Sequence, residues 1–252
     1  EALEAGELAV AYQPIHDLAS GMLVGAEALL RWNHPRRGNV PPSIFVPIAE
    51  SSGLIDALGD WVLDRACADC QAWQPLLPGM SVAVNLSGRQ LQRSDLGQRV
   101  SATLARRRLA AELLHLELTE SSLLHDEQLA FAALGQLRAT GVRVWLDDFG
   151  TGFSGLSHLR RARVDGVKID RSFITEILSD PEDLALASAI IAMAHSLGMQ
   201  VIAEGVESES QFELLRARGC DLAQGFWMSA AVTPEELVRR PARVQLSSET
   251  AS

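Results

Sequence analysis

Five carboxylates and one lysine stand at or near the ends of separate apolar runs: Glu27 in VGAEALLRW, Glu117 in LHLELTE, Asp147 and Asp148 in VRVWLDDFG, Glu204 in QVIAEGVE, and Lys168 in DGVKID. An acid inside an apolar run is costly to bury alone and needs a cation or a proton beside it. If the runs are parallel strands, their ends meet at one face and crowd five acids around one lysine. The surplus negative charge is what two divalent cations neutralise. Two metals about 4 Å apart are a known arrangement for phosphodiester hydrolysis. Oxygen ligands favour Mg2+ or Mn2+ over Zn2+, and the six histidines are scattered.

Each residue has a plainer reading beside this one. Glu27 can be a structural salt bridge to Arg31 or another base. Asn85, at the end of SVAVNLS, offers a neutral oxygen for a hard metal but also fits a turn. In LHLELTE, strand alternation puts His115, Glu117 and Thr119 on one face and the leucines on the other; Glu120, just beyond, reads better as a loop-holding acid than as a ligand. Asp147 and Asp148 cannot share a face of a regular strand, so both reach one pocket only where the chain leaves it, and FGTGFSG supplies that departure as a mobile loop. Lys168 and Asp170 share the inward face of DGVKID; the lysine can hold a water or a phosphate oxygen or only balance charge. In LAQGFWMS, Gln224 ends the last strand, and Phe226 or Trp227 can stack a base or seal the barrel.

The elements that must position these residues follow from periodicity. Strands are expected at Leu8–Ile15, Leu23–Arg31, Ser81–Ser87, Leu114–Thr119, Val142–Asp147, Gly166–Asp170, Gln200–Glu204 and Asp221–Phe226, alternating with helices at Ile55–Gln74, Ser94–Arg107, Glu127–Thr140, Glu182–Leu197 and Ser208–Arg218. Gly141, Gly198 and Gly219 mark helix ends. Eight strands alternating with helices over this length imply an α/β chain folded as a modified TIM (β/α)8 barrel. The first two strands are joined by Asp17–Leu23, too short for a parallel crossover, so one antiparallel strand is expected near the N-terminus.

The chain has 252 residues, 47% of them hydrophobic, and a net charge of −10. One domain is expected over residues 1–245, with a flexible tail at 246–252. The acidic balance argues against a DNA or RNA polymer as ligand. Cys67 and Cys70 form a CxxC inside a helical pattern with no second pair, which favours packing over metal or redox chemistry. The sparse cysteines suit a reducing cytoplasm. The apolar stretch Leu184–Ala203 carries Ser188, His195 and Gly198, so no membrane contact is expected of the domain itself. The abrupt start reads as a domain cut from a longer, multidomain or membrane-anchored protein.

The ordered set Glu27-Ala28-Leu29-Leu30-Arg31-Trp32, AYQPIHDL, VNLS, LELTE, DDFGTGFSGL, VKIDRSF, VIAEGVE and QGF resembles the EAL-domain family of cyclic di-GMP phosphodiesterases over nearly the whole chain. The resemblance implies Mg2+- or Mn2+-dependent hydrolysis of cyclic di-GMP to linear 5′-pGpG. It implies metal ligation by Glu27, Asn85, Glu117, Asp147 and Asp148, with Glu204 in the metal and water network and Lys168 orienting or helping to deprotonate the attacking water. Arg31 is implied as the phosphate contact, Gln13 and Gln224 as substrate-pocket residues with Asp170 a further candidate, Glu120 as the brace of the DDFGTG loop, and a homodimer near that loop. Ca2+, which prefers looser coordination, is expected to occupy the site and inhibit. The alternatives are a catalytically silent cyclic di-GMP receptor, disfavoured because every acidic position is filled, and another metal-dependent barrel enzyme acting on an enolisable acid. Departures from the family pattern are Phe226 where Tyr is frequent, SAAVTP after QGF, and His16 in QPIHDL.

Overall fold

The computed structural model describes residues 2–3, 5–124, 126–151 and 156–244. The tail expected after residue 245, and residues 152–155 of the expected mobile loop, lie outside the described residues. The first half of the chain runs β1 (Leu8–Asp17), β2 (Leu23–His34), β3 (Gly38–Val40), α1 (Pro42–Ser52), α2 (Ile55–Trp73), β4 (Ser81–Asn85), α3 (Gly88–Leu91), α4 (Leu96–Arg107), β5 (Leu114–Thr119), α5 (Glu120–Leu124) and α6 (Glu127–Thr140). The second half runs β6 (Arg143–Phe149), α7 (Leu156–Ala162), β7 (Gly166–Ile169), α8 (Ser172–Thr175), α9 (Pro181–Ser196), β8 (Gln200–Ala203), α10 (Glu209–Ala217), β9 (Leu222–Ala223) and α11 (Pro234–Leu237).

Eight strands close in the order β1-β2-β4-β5-β6-β7-β8-β9 and back to β1, with β3 paired only to the outer end of β2. All neighbours are parallel except β1, which runs antiparallel to both β2 and β9. The expected antiparallel strand is therefore β1. Its reversal comes from a tight turn in which Gly21 takes φ +72° and Asp17 Oδ1 accepts from Ser20 N at 2.7 Å. A left-handed residue with a neighbouring Asp side chain is what so short a connection needs.

Alternation along each strand divides the barrel wall. Leu114, Leu116, Leu118, Val167 and Ile169 point outward into the continuous apolar core shared with the helices. The inward face has its own plug, where Ile15, Trp145 and Ile202 pack together with Val24 and Leu222. His115 stacks on Trp145 with ring centroids 5.7 Å apart. Gly166 is required beside that plug, because a Cβ there would meet the Trp145 ring at 2.3 Å. This apolar floor excludes water from below and leaves the other end of the barrel for polar groups.

Gly141, Gly198 and Gly219 take φ of +87°, +74° and +78° after α6, α9 and α10, as the sequence implies. Cys67 and Cys70 are buried free thiols of α2, and burial pushes both up to about 12, so they stay protonated packing groups. Several boundaries differ from expectation. The last strand shrinks to Leu222–Ala223, leaving Gln224 and Phe226 beyond it; β6 runs on to Phe149; and β3 with α1 fills a segment for which no element was expected. No helix among the described residues is long and apolar enough to cross a membrane.

Candidate metal centre and its cavity

Lys168, fully buried on β7, is the hub of the polar end of the barrel. Its Nζ lies 3.1 Å from Glu27 Oε2, 3.0 Å from Glu117 Oε2, 3.4 Å from Asp147 Oδ1 and 2.7 Å from Glu204 Oε1. These partners come from β2, β5, β6 and the residue after β8, so barrel closure is what brings them together. Burial alone would lower the basicity of Lys168. The charges of Glu117, Glu27, Glu204 and Asp147 outweigh it and hold the ammonium well above its usual range. Glu27 therefore pairs with Lys168, not with Arg31.

Two amides fix the Glu27 carboxylate. Asn85 Nδ2 donates to its Oε1 at 2.7 Å, and Gln224 Nε2 donates to its Oε2 at 2.7 Å. Burial would raise Glu27, but Lys168 and these two donors hold it below the usual carboxylate range. Glu117 goes the other way: burial, followed by the like charges of Glu27 and Asp147, raises it well above that range in spite of Lys168. Burial likewise pushes Glu204 up to about 7.

Asp147 and Asp148 reach the same pocket by a route the sequence did not define. The chain does not leave the strand between them. The β6–β7 register slips between Leu146 and Phe149, and Asp148 adopts a left-handed φ of +54°. This irregularity turns two consecutive side chains toward one side, and Asp148 N donates to Asp147 Oδ1 at 2.9 Å. The result is two carboxylate trios sharing Asp147. Glu27, Glu117 and Asp147 form one, Asp147, Asp148 and Glu204 the other, and within each trio the ligand oxygens lie within 4.8 Å of one another.

The donor set fits hard divalent cations. It is all oxygen, it is short of positive charge, and Glu117 Oε1 is buried with no hydrogen-bond partner. A cation would give that oxygen the partner that the protein does not supply.

The cluster opens into a cavity of about 660 Å³ that reaches Asn85 and Asp148 and whose walls include Arg31, Val46, Pro47 and Leu58. Arg31 Nη1 donates to the Leu30 carbonyl at 3.1 Å. Gln13 is on the inward face of β1, where its Oε1 accepts from Gln224 at 3.1 Å and its Nε2 donates to the Ser229 carbonyl at 3.3 Å. Gln224 is thus turned onto Glu27 and Gln13. Asp170 sits beyond β7 and caps the turn into α8 by accepting from Ser172 N at 3.0 Å, apart from the contacts of Lys168. Glu120 is buried at the start of α5, directly after Thr119. Phe226 is 70% exposed and seals nothing, whereas Trp227 packs on Phe212 at 5.1 Å.

The wall residues of α1 were missed by sequence reasoning, although α2 was expected as a helix. Their signal lay in PPSIFVPIAE, where a proline suited to the first helical turn precedes apolar residues at helical spacing.

An α/β barrel with a single reversed strand and two acidic trios around a buried lysine defines the class: a barrel with a polar, cation-suited end at its parallel strand termini. A family model described as EAL domain matches residues 1–231, and the chain belongs to the EAL domain family. Among curated relatives, the bifunctional diguanylate cyclase/cyclic di-GMP phosphodiesterase MucR of Pseudomonas aeruginosa is 42% identical over 242 residues, covering 94% of this chain and 35% of MucR. The cyclic di-GMP phosphodiesterase NbdA of the same organism is 44% identical over 232 residues, covering 91% of this chain and 29% of NbdA. The chain thus spans about a third of the length of such relatives. Among solved structures, the MucR phosphodiesterase in complex with c-di-GMP superposes with a TM-score of 0.89 at 42% identity, covering 94% of this chain and 96% of that one. The EAL enzyme Bd1971 bound to cAMP and cyclic-di-GMP gives 0.90 at 35% identity, covering 94% and 65%.

Proposed function

We propose that this chain hydrolyses one phosphodiester bond of cyclic di-GMP to give linear 5′-pGpG, using Mg2+ or Mn2+ with two ions per site. The observation that carries this reading is the pair of carboxylate trios sharing Asp147, packed against Lys168 and bordering, through Asp148, a cavity large enough for a nucleotide. The activities named for MucR and NbdA support the choice of substrate.

Glu27, Asn85, Glu117 and Asp147 would hold one cation, and Asp147, Asp148 and Glu204 the other. When bound, the cations supply Lewis acidity to a phosphoryl oxygen and make water a better nucleophile at neutral pH. Gln224 and Asn85 keep the Glu27 carboxylate in one orientation, so its lone pairs are aimed before any ligand arrives. Lys168, held protonated by four carboxylates, is the cation that orients the attacking water, and Glu204, 2.7 Å from its Nζ, belongs to the same metal and water network. Arg31 is assigned to a phosphate oxygen, Gln13 and Asp170 to the substrate rim, and Glu120 to bracing the segment after β6. The apolar wall from α1 and α2 suits a base. The same reading includes a homodimer through the region of the DDFGTG loop, a cytoplasmic setting, and Ca2+ as an inhibitor.

The test is incubation of the purified chain with cyclic di-GMP and Mg2+ or Mn2+, followed by chromatography. Conversion to pGpG that a chelator stops is expected, with Glu27→Ala losing turnover while retaining nucleotide. Tight binding with intact substrate after long incubation would replace this reading with that of a receptor.

A further inference from the structure

On the outer wall of β1 the long helix α2 packs at Tyr12, whose ring meets Trp73 at 4.7 Å and whose hydroxyl donates to Asp69 at 2.6 Å. Among the described residues, only the four-residue α11 follows β9. A recess of about 270 Å³ lies further along β1, lined by Pro14, His16, Trp227, Met228, Arg240 and Arg243 among others, and it shares no lining residue with the larger cavity. Gln13 and Ile15 face the barrel interior, whereas Pro14 and His16 line the recess on the other side of the same strand, the β1–β2 register slipping between Ile15 and His16. The recess is separated from the carboxylate cluster by the β1 wall.

His16 is 6% exposed, and its Nδ1 is buried without a hydrogen-bond partner. Leaving such a group unpaired is unfavourable, which is unusual in a finished interior. Neither Arg240 nor Arg243 forms an ion pair with a described carboxylate; Arg240 makes only a long bond, 3.5 Å, to the Met228 carbonyl. The nearest acid in sequence, Asp17, is engaged in the hairpin, accepting from Ser20 N at 2.7 Å and Ser20 Oγ at 2.5 Å. The arginines are held in place by backbone: Leu23 N donates to Ala242 O at 2.8 Å and Val244 N to Gly21 O at 2.9 Å, with an antiparallel bridge between Met22 and Arg243. In a chain of net charge −10, this is a local concentration of positive charge around a buried, unsatisfied imidazole.

We propose that this recess is a binding site for a small phosphate-bearing anion, held by the guanidinium groups of Arg240 and Arg243 and by the ring of His16. Guanidinium groups match phosphate oxygens in charge and geometry, and the recess is too small for a whole dinucleotide.

The experiment follows the histidine imidazole resonances of the full chain in chelator-treated buffer while inorganic phosphate is added at constant pH and ionic strength, with His16→Gln assigning the signal. Saturable movement of the His16 resonance is expected, and Arg243→Gln should weaken the apparent affinity at least ten-fold, with Arg243→Lys losing less. Glycerol phosphate binding as tightly as phosphate assigns the site to phosphomonoesters; phosphate binding alone assigns it to the free ion. A stationary His16 signal, an Arg243→Gln titration matching the parent, or an equal response to acetate overturns the proposal.

Discussion

Lys168 Nζ lies 3.0 Å from Glu117 Oε2 with both side chains sealed from solvent, while Oε1 of the same carboxylate is buried and has no partner. One ammonium therefore serves four acids and leaves this oxygen of Glu117 unpaired. An interior built this way is stable only while the single positive charge remains. It is also pre-strained toward accepting more positive charge, because every added cation relieves repulsion among carboxylates that the fold already holds together.

Lys168→Met should therefore destabilise the metal-free chain by about 3–5 kcal/mol, since removing one partner of a buried pair leaves uncompensated charge. Urea unfolding in chelator measures this. Addition of Mg2+ should recover more stability in the variant than in the parent. A variant as stable as the parent without metal would show that the four carboxylates do not depend on Lys168.

Glu204 contributes a pH dependence of defined sign to the stability of the metal-free chain. Its folded value of about 7 lies above its ordinary 4.5, chiefly through burial. The folded chain then holds more protons than the unfolded one between those values, so the contribution is fully present below about 4.5 and lost as pH rises through 7. It amounts to roughly 3 kcal/mol. Urea midpoints of parent and Glu204→Gln compared from pH 5 to 8 isolate it: the parent should lose stability relative to the variant as pH rises. Divalent metal binding at pH 6.5 should release protons, and calorimetry in buffers of different ionisation enthalpy counts them.

Calcium should bind and fail. The cluster is rigid, with Glu27 fixed from both sides by Asn85 and Gln224, whereas Ca2+ takes more and longer oxygen contacts than Mg2+ or Mn2+. Ca2+ should raise the melting temperature of the chain and lower Mn2+-supported hydrolysis of cyclic di-GMP by at least ten-fold at saturation. Hydrolysis with Ca2+ alone at the Mn2+ rate would contradict the assignment of the trios to smaller cations.

Particular residues show why some of this was legible in sequence. Glu117 and Lys168 stand in short runs with strict alternation, and period two is enough to aim them at the barrel axis. Asp147 and Asp148 were legible as an anomaly but not as a solution, since a register slip with a left-handed aspartate has no local signature. The substrate-pocket role of Gln224 came from the family resemblance. Its amide also meets Gln13 and Glu27, 211 and 197 residues away, and no local pattern encodes such a contact. The segment containing β3 and α1 was passed over because Pro47 falls inside the helix that Pro42 opens, and because Ile44 and Ile48, 54% and 61% exposed, blur the one-sided apolar stripe.

The apolar floor beneath the site makes a separate prediction. Gly166 does not take a positive φ, so its requirement is one of space: an added Cβ would sit 2.3 Å from the Trp145 ring. Gly166→Ala should cost about 2 kcal/mol or more by overpacking, and its effect should fall on folding stability more than on metal selectivity. Gly166→Ala combined with Trp145→Phe should regain part of the loss. An unchanged melting temperature for Gly166→Ala would mean that the ring has room to move.

The left-handed Asp148 gives the sharpest test of how the second trio is built. In an ordinary strand or helix position, alanine is more stable than glycine because glycine has more backbone freedom to lose. At φ +54° the order should reverse, since a Cβ in the left-handed region costs on the order of 1–2 kcal/mol while glycine pays nothing there. Asp148→Gly and Asp148→Ala remove the same carboxylate and the same repulsion from Asp147 and Asp170, so the difference between them reports the backbone alone. Asp148→Gly should therefore unfold at higher urea than Asp148→Ala, both should lose turnover, and Asp148→Asn should keep the fold because its side chain tolerates the same conformation. If Asp148→Ala proves the more stable of the pair, the register slip between β6 and β7 is not what brings Asp147 and Asp148 to one side.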